Sequence, residues 1–391
     1  MREALEGSQA IARAVALCEP DVVAAYPITP QTHIVENLSK LVAEGDLHTE
    51  FVSVESEFSA ASVVLGAAAT GARAYTATAS QGVLLMAEVL FNIAGMRLPL
   101  VMTVANRAVS APLSIWNDHA DSMAVRDSGW IQLHATSNQE AVDTTIQAFR
   151  ITQETELPVM VCMDGFVLTH TMEPIGMPTR DAVRAWLPPL EFSRRLDPED
   201  PRSMGMLVTP EYFPEVRHSH HAAMQKALAA IEATDADFEK AFGRAAGGLL
   251  TVEGSADATI GIVAMGSTVG TLRAGMADFA EEAGPARLIA LRSFRPFPTE
   301  ALRKAVAGLD HLIVLDRAIS PGLGGILGTE VLAALAGVPG APRVLNHAVG
   351  LGGRDIPETI VVDLMAAVRD PDSPAFSIFD ADMDKLAPED R

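Results

Sequence analysis

The sequence predicts an α/β protein made of two parallel-sheet domains, on three observations. Short β-branched runs alternate with longer helical patterns up to about residue 187, the rhythm of βαβ units. From about Pro188 to Gly248 the rhythm breaks into PPLEFSRRLDPEDPRSMGMLVTPEYFPEVRHSHH and one further helix. At Ala258 a second β–α series begins. The expected organisation is a first domain over 1–187, a bridging segment over 188–250 and a second domain over 251–391.

Composition excludes several classes. Of 391 residues, 49 % are hydrophobic and 20 % charged, so the chain has ample material for packed cores. A net charge of −21 argues against nucleic acid and anionic membrane surfaces as partners. No run is long and uncharged enough to span a bilayer, because Glu88 and Arg97 interrupt the best region. The N-terminus lacks the apolar run and cleavage site of a secretory signal, and a cytoplasmic location is expected. The two cysteines, Cys18 and Cys162, lie in apolar segments and read as buried thiols. An iron–sulfur cluster normally takes four cysteines, so any such centre is expected on a partner.

In chain order, helical spacing runs from Glu6 to Cys18 with Ser8 as cap, and Val22–Ala25 is a short strand. The prolines of YPITP, Tyr26–Pro30, then forbid helix and stiffen a loop that holds Thr29, with Thr29 or Thr32 available to cap the helix from Gln31 to Glu44. Next comes the stretch FVSVESEFSAASVVLGAAATG: a strand at Phe51, an acidic turn, and a helix whose small apolar residues cover nearly every face, expected deep in the core. Two readings of Glu57 stand side by side. It is either a functional carboxylate at the edge where open sheets bind ligands, or a first-turn acid behind a Ser56 cap.

Ala72–Ala77 is a strand, and TASQG, Thr78–Gly82, opens a helix through Met96 with hydroxyls and backbone N–H groups that suit a ligand wall. After the strand Pro99–Ala105, a long connection carries Arg107, which suits a carboxylate, or a surface ion pair. Asp118, His119 and Asp121 in that connection read as a polar loop rather than a metal site, and His218, His220 and His221 as an exposed helix start. The strand Ile131–Ala135, the helix Asn138–Thr155 and the strand Pro158–Met163 complete the first domain. In the second, strands are expected at Thr259–Ala264, Leu288–Leu291, His311–Leu315 and Arg343–Leu345, with helices between them and a C-terminal helix. The glycines of LDRAISPGLGGILGTEV miss the dinucleotide-binding spacing by one residue, which disfavours a nicotinamide-dependent dehydrogenase.

Eight segments in register, YPITPQT, ESEFSAASVVLGAAATGARAYTATASQG, NRAVSAPLSIWNDHADSMAVRDSGWIQ, NQEAVDT, LPVMVCMDGF, FRPFP, LDRAISPG and GLGGRDI, resemble the alpha subunits of 2-oxoacid:ferredoxin oxidoreductases, those of the pyruvate type most of all. The resemblance covers nearly the whole chain. It implies a pyrimidine-type thiamine-diphosphate-binding domain followed by a transketolase C-terminal-like domain to which no chemistry is assigned. It implies a CoA-acylating oxidative decarboxylation with electrons passed to ferredoxin or a similar acceptor.

Residue by residue, the resemblance gives Glu57 the role of activating the cofactor's aminopyrimidine, on the pattern E-x-x-A followed by Gly66 and Gly71; Glu55 is the runner-up. Thr29 and Arg107 match positions that receive the substrate carboxylate. Pro27, Ile28, Thr29, Ser80 and Gln81 join Glu57 around the cofactor. The diphosphate and Mg2+ site is expected on a beta subunit, and [4Fe-4S] clusters on partners that include gamma and ferredoxin-like subunits; no metal is assigned to this chain. Pyruvate is the first substrate because YPITP keeps Thr29. An aromatic acid such as phenylglyoxylate or a branched 2-oxoacid is the alternative, and oxalate is less favoured because no further cation stands beside Thr29. A non-catalytic assembly subunit is the reading from a different class.

Overall fold

Seven strands with helices on both faces make the sheet that carries the sites named above. The computed structural model describes residues 2–390. In chain order its elements begin β1 Glu3–Glu6, α1 Gly7–Leu17, β2 Val22–Ala25, α2 Thr32–Ala43, β3 Glu50–Ser53, α3 Glu57–Ala69, β4 Ala74–Thr78, α4 Ser80–Gly95, β5 Leu100–Asn106 and α5 Ala120–Ala124. They continue with β6 Ile131–His134, α6 Asn138–Thr155, β7 Val159–Asp164, β8 Met172–Ile175, α7 Arg180–Trp186, α8 Phe213–Phe242, β9 Leu250–Gly254, β10 Ile260–Ala264, α9 Thr268–Asp278, α10 Ala280–Ala283, β11 Arg287–Leu291 and β12 Ser293–Arg295. The last are α11 Thr299–Ala305, β13 His311–Asp316, β14 Ile319–Ser320, β15 Gly324–Gly325, α12 Ile326–Leu335, β16 Arg343–Ala348, α13 Ile360–Arg369 and β17 Phe376–Ile378.

Two units result: Met1–Thr251 with Leu291–Pro298, and Val252–Ala290 with Thr299–Arg391. In the first, the sheet order is β12-β6-β7-β5-β4-β2-β3, parallel except for β12, which runs antiparallel to β6. The inner strands β4, β5, β6 and β7 are buried at every residue, which is why they read as largely apolar runs, whereas the edge strand β3 is exposed at both ends. Ile11, Val15, Ile146 and Phe149 pack on one face, and Ala60, Val64, Met86, Leu90 and Ile93 on the other. The second unit has the order β17-β16-β13-β10-β11-β9, with β10 parallel to β11 and β13, and β16 parallel to β13 and β17.

Several expectations change. The range 251–391 expected for the second domain includes FRPFP, but residues 291–298 belong to the first unit, where β12 closes the sheet edge beside β6. Helix α3 is not enclosed on every side: Phe58 is 41 % exposed, and Ser62 and Gly66 face solvent with it. Apolar residues all round a helix show only that no face is committed to charge, not that every face is covered within one chain. Ser8 is no cap; its hydroxyl donates to the Thr169 carbonyl at 2.9 Å. Neither Thr29 nor Thr32 caps α2, whose cap position is Gln31. Helix α8 starts nine residues earlier than read, because Pro214 stands in its first turn where a missing N–H costs nothing. The HSHH run therefore lies inside the helix, and His220 is buried with its Nε2 3.1 Å from the Gly129 carbonyl.

Candidate active site

Open parallel sheets bind ligands where successive connections leave neighbouring strands in opposite directions. Here that point lies between β2 and β4. The chain leaves β2 through Tyr26–Gln31 toward β3 on one side, and leaves β4 through α4 toward β5 on the other. The four segments singled out in the sequence all start at the C-terminal ends of these strands: Thr29 after β2, Glu57 after β3, Ser80 after β4 and Arg107 after β5.

Glu57 is the first residue of α3. Ser56 caps that helix by accepting from Ser59 N at 3.2 Å, so the cap and the buried carboxylate coexist and the two readings of this turn are not exclusive. Glu57 is 7 % exposed and makes no hydrogen bond or ion pair with a described residue. Glu55, by contrast, is exposed and accepts from the Ser59 hydroxyl. The space beside Glu57 exists because residue 82 is glycine: a Cβ there would stand 2.3 Å from Thr78 Oγ1, 2.8 Å from Glu57 Cγ and 2.9 Å from Glu57 Oε1. The hydroxyls of Thr76 and Thr78 are buried without partners. Burying unpartnered hydroxyls is costly, and such groups near a carboxylate that has no protein partner normally signal a ligand.

Arg107 and Thr29 are brought together. Arg107 is 7 % exposed, its Nη1 donates to the Thr29 carbonyl at 2.8 Å and its Nε to the Ser114 carbonyl at 3.0 Å. Burial lowers the Arg107 pKa from the ordinary guanidinium value, opposed by Asp121, and the group stays cationic at neutral pH. Thr29 is exposed and Pro27 and Ile28 line the same loop. Ser80 holds a left-handed φ of 48°, a conformation that costs a non-glycine residue energy and is fixed from two sides. Its N–H donates to Asp121 Oδ2 at 2.9 Å and its hydroxyl to the Ala108 carbonyl at 2.5 Å. Gln81 donates to the Ser110 hydroxyl.

Two fixing residues escaped the sequence reading. Gln31, fully buried, donates from Nε2 to the Ala77 carbonyl at 2.8 Å and accepts from Ile28 N at 3.2 Å, tying the YPITP loop to β4. Asp121 accepts from Ser80 N, Arg107 N at 3.0 Å and Asn106 Nδ2 at 2.8 Å, so one carboxylate joins the ends of β4 and β5. Burial pushes its pKa up to about 6. The D-H-x-D spacing was the only signal of this role. Asp118, His119 and Asp121 turn to different partners: His119 pairs with buried Asp164 at 2.7 Å, and Asp118 accepts from Ala120 N. Beside His119 lies His134, whose two ring nitrogens are buried without partners and whose pKa is pulled down to about 3, chiefly by burial and then by His119.

Known proteins share this architecture. The family described as pyruvate flavodoxin/ferredoxin oxidoreductase, thiamine diP-bdg, matches residues 13–235, and pyruvate:ferredoxin oxidoreductase core domain II matches residues 258–360. Pyruvate synthase subunit PorA of Methanosarcina barkeri is 48 % identical over 357 residues, 90 % of this chain and 89 % of that one. Ketoisovalerate oxidoreductase subunit VorA of Pyrococcus abyssi is 38 % identical over 371 residues, 95 % of this chain and 93 % of that one. Among solved structures, 2-oxoglutarate:ferredoxin oxidoreductase from Magnetococcus marinus superposes with a TM-score of 0.74 at 19 % identity; the match covers 93 % of this chain but 65 % of that longer one. A split-gene transketolase superposes at 0.54 with 16 % identity, covering 94 % of this chain and 98 % of that one. The first family model describes a thiamine-diphosphate-binding domain, and the two superpositions give the chain the fold of such a domain followed by a transketolase C-terminal-like one.

Proposed function

Because the chain belongs to the pyruvate:ferredoxin oxidoreductase family, as an alpha subunit of it, we propose that its switch-point edge is one wall of the site where a 2-oxoacid, pyruvate first, is oxidatively decarboxylated to an acyl-CoA. The observation that carries the reading is the buried, unpartnered Glu57 carboxylate beside Gly82, on the same sheet edge as the Arg107–Thr29 pair. A carboxylate without a protein partner, with the unpartnered Thr78 hydroxyl bordering the same space, fits an aminopyrimidine, which presents ring nitrogens and an amino group.

Thiamine diphosphate, when bound, supplies the electron sink that lets a 2-oxoacid release CO2. Glu57 would hold a proton-bearing hydrogen bond at its carboxylate oxygen, and Pro27, Ile28, Ser80 and Gln81 would line the cofactor. Arg107 has one amino group, Nη2, not used on Thr29 or Ser114, and it would grip the substrate carboxylate with help from the Thr29 hydroxyl, a positioning effect rather than bond-making. Several relatives are named as subunits, and the chain works as part of a multi-subunit complex. Within it we assign the diphosphate and Mg2+ to a beta subunit, and [4Fe-4S] clusters to gamma and ferredoxin-like subunits that pass electrons to ferredoxin or a similar acceptor. A formal charge of −21, ill-suited to pyrophosphate, supports this division. No helix among the described residues is long and apolar enough to cross a membrane, and we place the complex in the cytoplasm.

In the assembled complex with saturating thiamine diphosphate and CoA, Glu57→Gln is expected to lower 2-oxoacid-dependent dye reduction by roughly 10²- to 10⁴-fold while subunits still copurify. Turnover near that of the wild type would overturn the role of Glu57. The ketoisovalerate enzyme among the relatives makes a branched 2-oxoacid the second substrate to assay, and the higher kcat/KM decides between them.

A further inference from the structure

Three donor groups that the sequence keeps far apart meet on the other side of the YPITP loop. Glu6 ends β1 and occupies the cap position of α1, His33 lies in the first turn of α2, and His170 lies in the turn after β7. One donor atom from each lies within 4.8 Å of the others, and all three residues are half-buried. His33 Nδ1 is 2.7 Å from Glu6 Oε1, and the two imidazole rings lie 4.7 Å apart, tilted by 36°.

The surrounding structure holds these groups still. Gly7, beside Glu6, has no room for a side chain: a Cβ would stand 2.1 Å from the Leu168 carbonyl. Its N–H donates to the Thr171 carbonyl, and Ser8 N and Oγ both donate to the Thr169 carbonyl at 2.9 Å, so the start of α1 and the His170 turn are one piece. Thr169 Oγ1 already accepts from Phe166 N at 2.7 Å and lies 2.8 Å from His170 Nδ1. That contact orients the His170 ring, as outer partners do for the imidazole ligands of a metal.

We propose that Glu6, His33 and His170 form a binding site for a divalent transition-metal ion of the zinc type, separate from the substrate edge. Two imidazoles and a carboxylate from three rigid segments are a donor set that suits Zn2+ with an open coordination position and does not suit Mg2+ or Ca2+, which take oxygen. Binding widens the His33–Glu6 contact to roughly 3.3 Å, the edge of a tetrahedron with ligand bonds near 2 Å, and draws His170 inward. The ion sits at the end of a row of tilted rings: His170 lies 4.8 Å from Phe166 and Phe166 4.5 Å from Trp116, in the loop whose Ser114 carbonyl receives Arg107.

The test is a titration of the full chain, freed of metal by chelator, with Zn2+ in competition with a chromophoric zinc chelator. One equivalent per chain is expected, undiminished by millimolar Mg2+. His33→Ala with His170→Ala should abolish that equivalent, and Thr169→Val should weaken it by about 10- to 100-fold through the lost outer partner. Circular dichroism checks folding, and Glu6→Gln, which keeps an acceptor for His33, provides a milder variant that should also weaken binding. Failure of the wild-type chain to compete for Zn2+ overturns the proposal, as does undiminished stoichiometric binding by the folded double-histidine variant.

Discussion

At the scale of single residues, a carboxylate and a glycine define one point of the site. Gly82 is not needed for its backbone angles but for what its missing Cβ leaves open beside Glu57 and Thr78. Gly82→Ala is therefore expected to displace the Glu57 side chain, and a shift of about 1 Å there should lower turnover by on the order of 10²-fold. Gly270→Ala serves as a control, since nothing lies within 4 Å of a Cβ at that position and its backbone is not left-handed. Comparing dye reduction in the two variants, with subunit assembly checked, separates the local effect from general damage. His134 carries a second prediction. Its folded pKa near 3 lies below the unfolded value near 6.5, so the unfolded chain binds more protons between those limits and stability falls as pH drops below about 6.5. His134→Leu removes this contribution. In denaturant titrations between pH 6 and 4, the wild type should lose stability relative to the variant by up to about 1.4 kcal/mol per pH unit. Legibility at this scale was uneven: Glu57, Thr29 and Arg107 stood out because charge or proline rigidity marks them, and the structure brings Arg107 to the Thr29 backbone. Gln31 and Asp121 did not, since a buried amide and a buried carboxylate act through backbone groups that only the folded chain brings near.

Elements were legible where a period or a cap marks them. The strands β2 and β10 and the helices α2, α4 and α6 fall within a few residues of their expected bounds, and α6 agrees at both ends because Ser137 caps it, accepting from Glu140 N, and Glu156 ends it in the left-handed region. Helix α3 shows the limit. Its Ser56 cap was readable three residues ahead of the N–H it satisfies, and Ser56→Ala should cost about 1 kcal/mol of stability, measurable as a shift of the denaturation midpoint with unchanged slope. Its open face was not readable, because Ala, Val and Gly give the same pattern whether or not a neighbour covers them. Elements of three or four residues, such as β1, β8 and β12, carry too few side chains for a period and owe their existence to pairing: β1 with β8, and β12 with β6.

At the scale of the molecule, the two β–α series were legible and the path between them was not. A composition break marks where regular elements stop, but it cannot show that a segment forty residues later rejoins the first sheet. Arg292, fully buried just ahead of β12, anchors that return with Nε and Nη2 donating to Thr144 Oγ1, Nη2 also to Gln147 Oε1 at 2.9 Å, and Nη1 to the Gly248 carbonyl at 2.8 Å. Arg292→Leu strips four donations from buried acceptors, and a loss on the order of 3 kcal/mol or more is expected in chemical denaturation. A loss below 1 kcal/mol would mean that water replaces the guanidinium there. The return of residues 291–298 also sets a timetable for synthesis. A chain leaving the ribosome can pair six strands of the first sheet early, but the seventh emerges only after β9, β10 and β11 have been made. The edge of β6 therefore stays open through that interval, and a nascent chain stalled before residue 298 is the form most exposed to mispairing and to proteolysis.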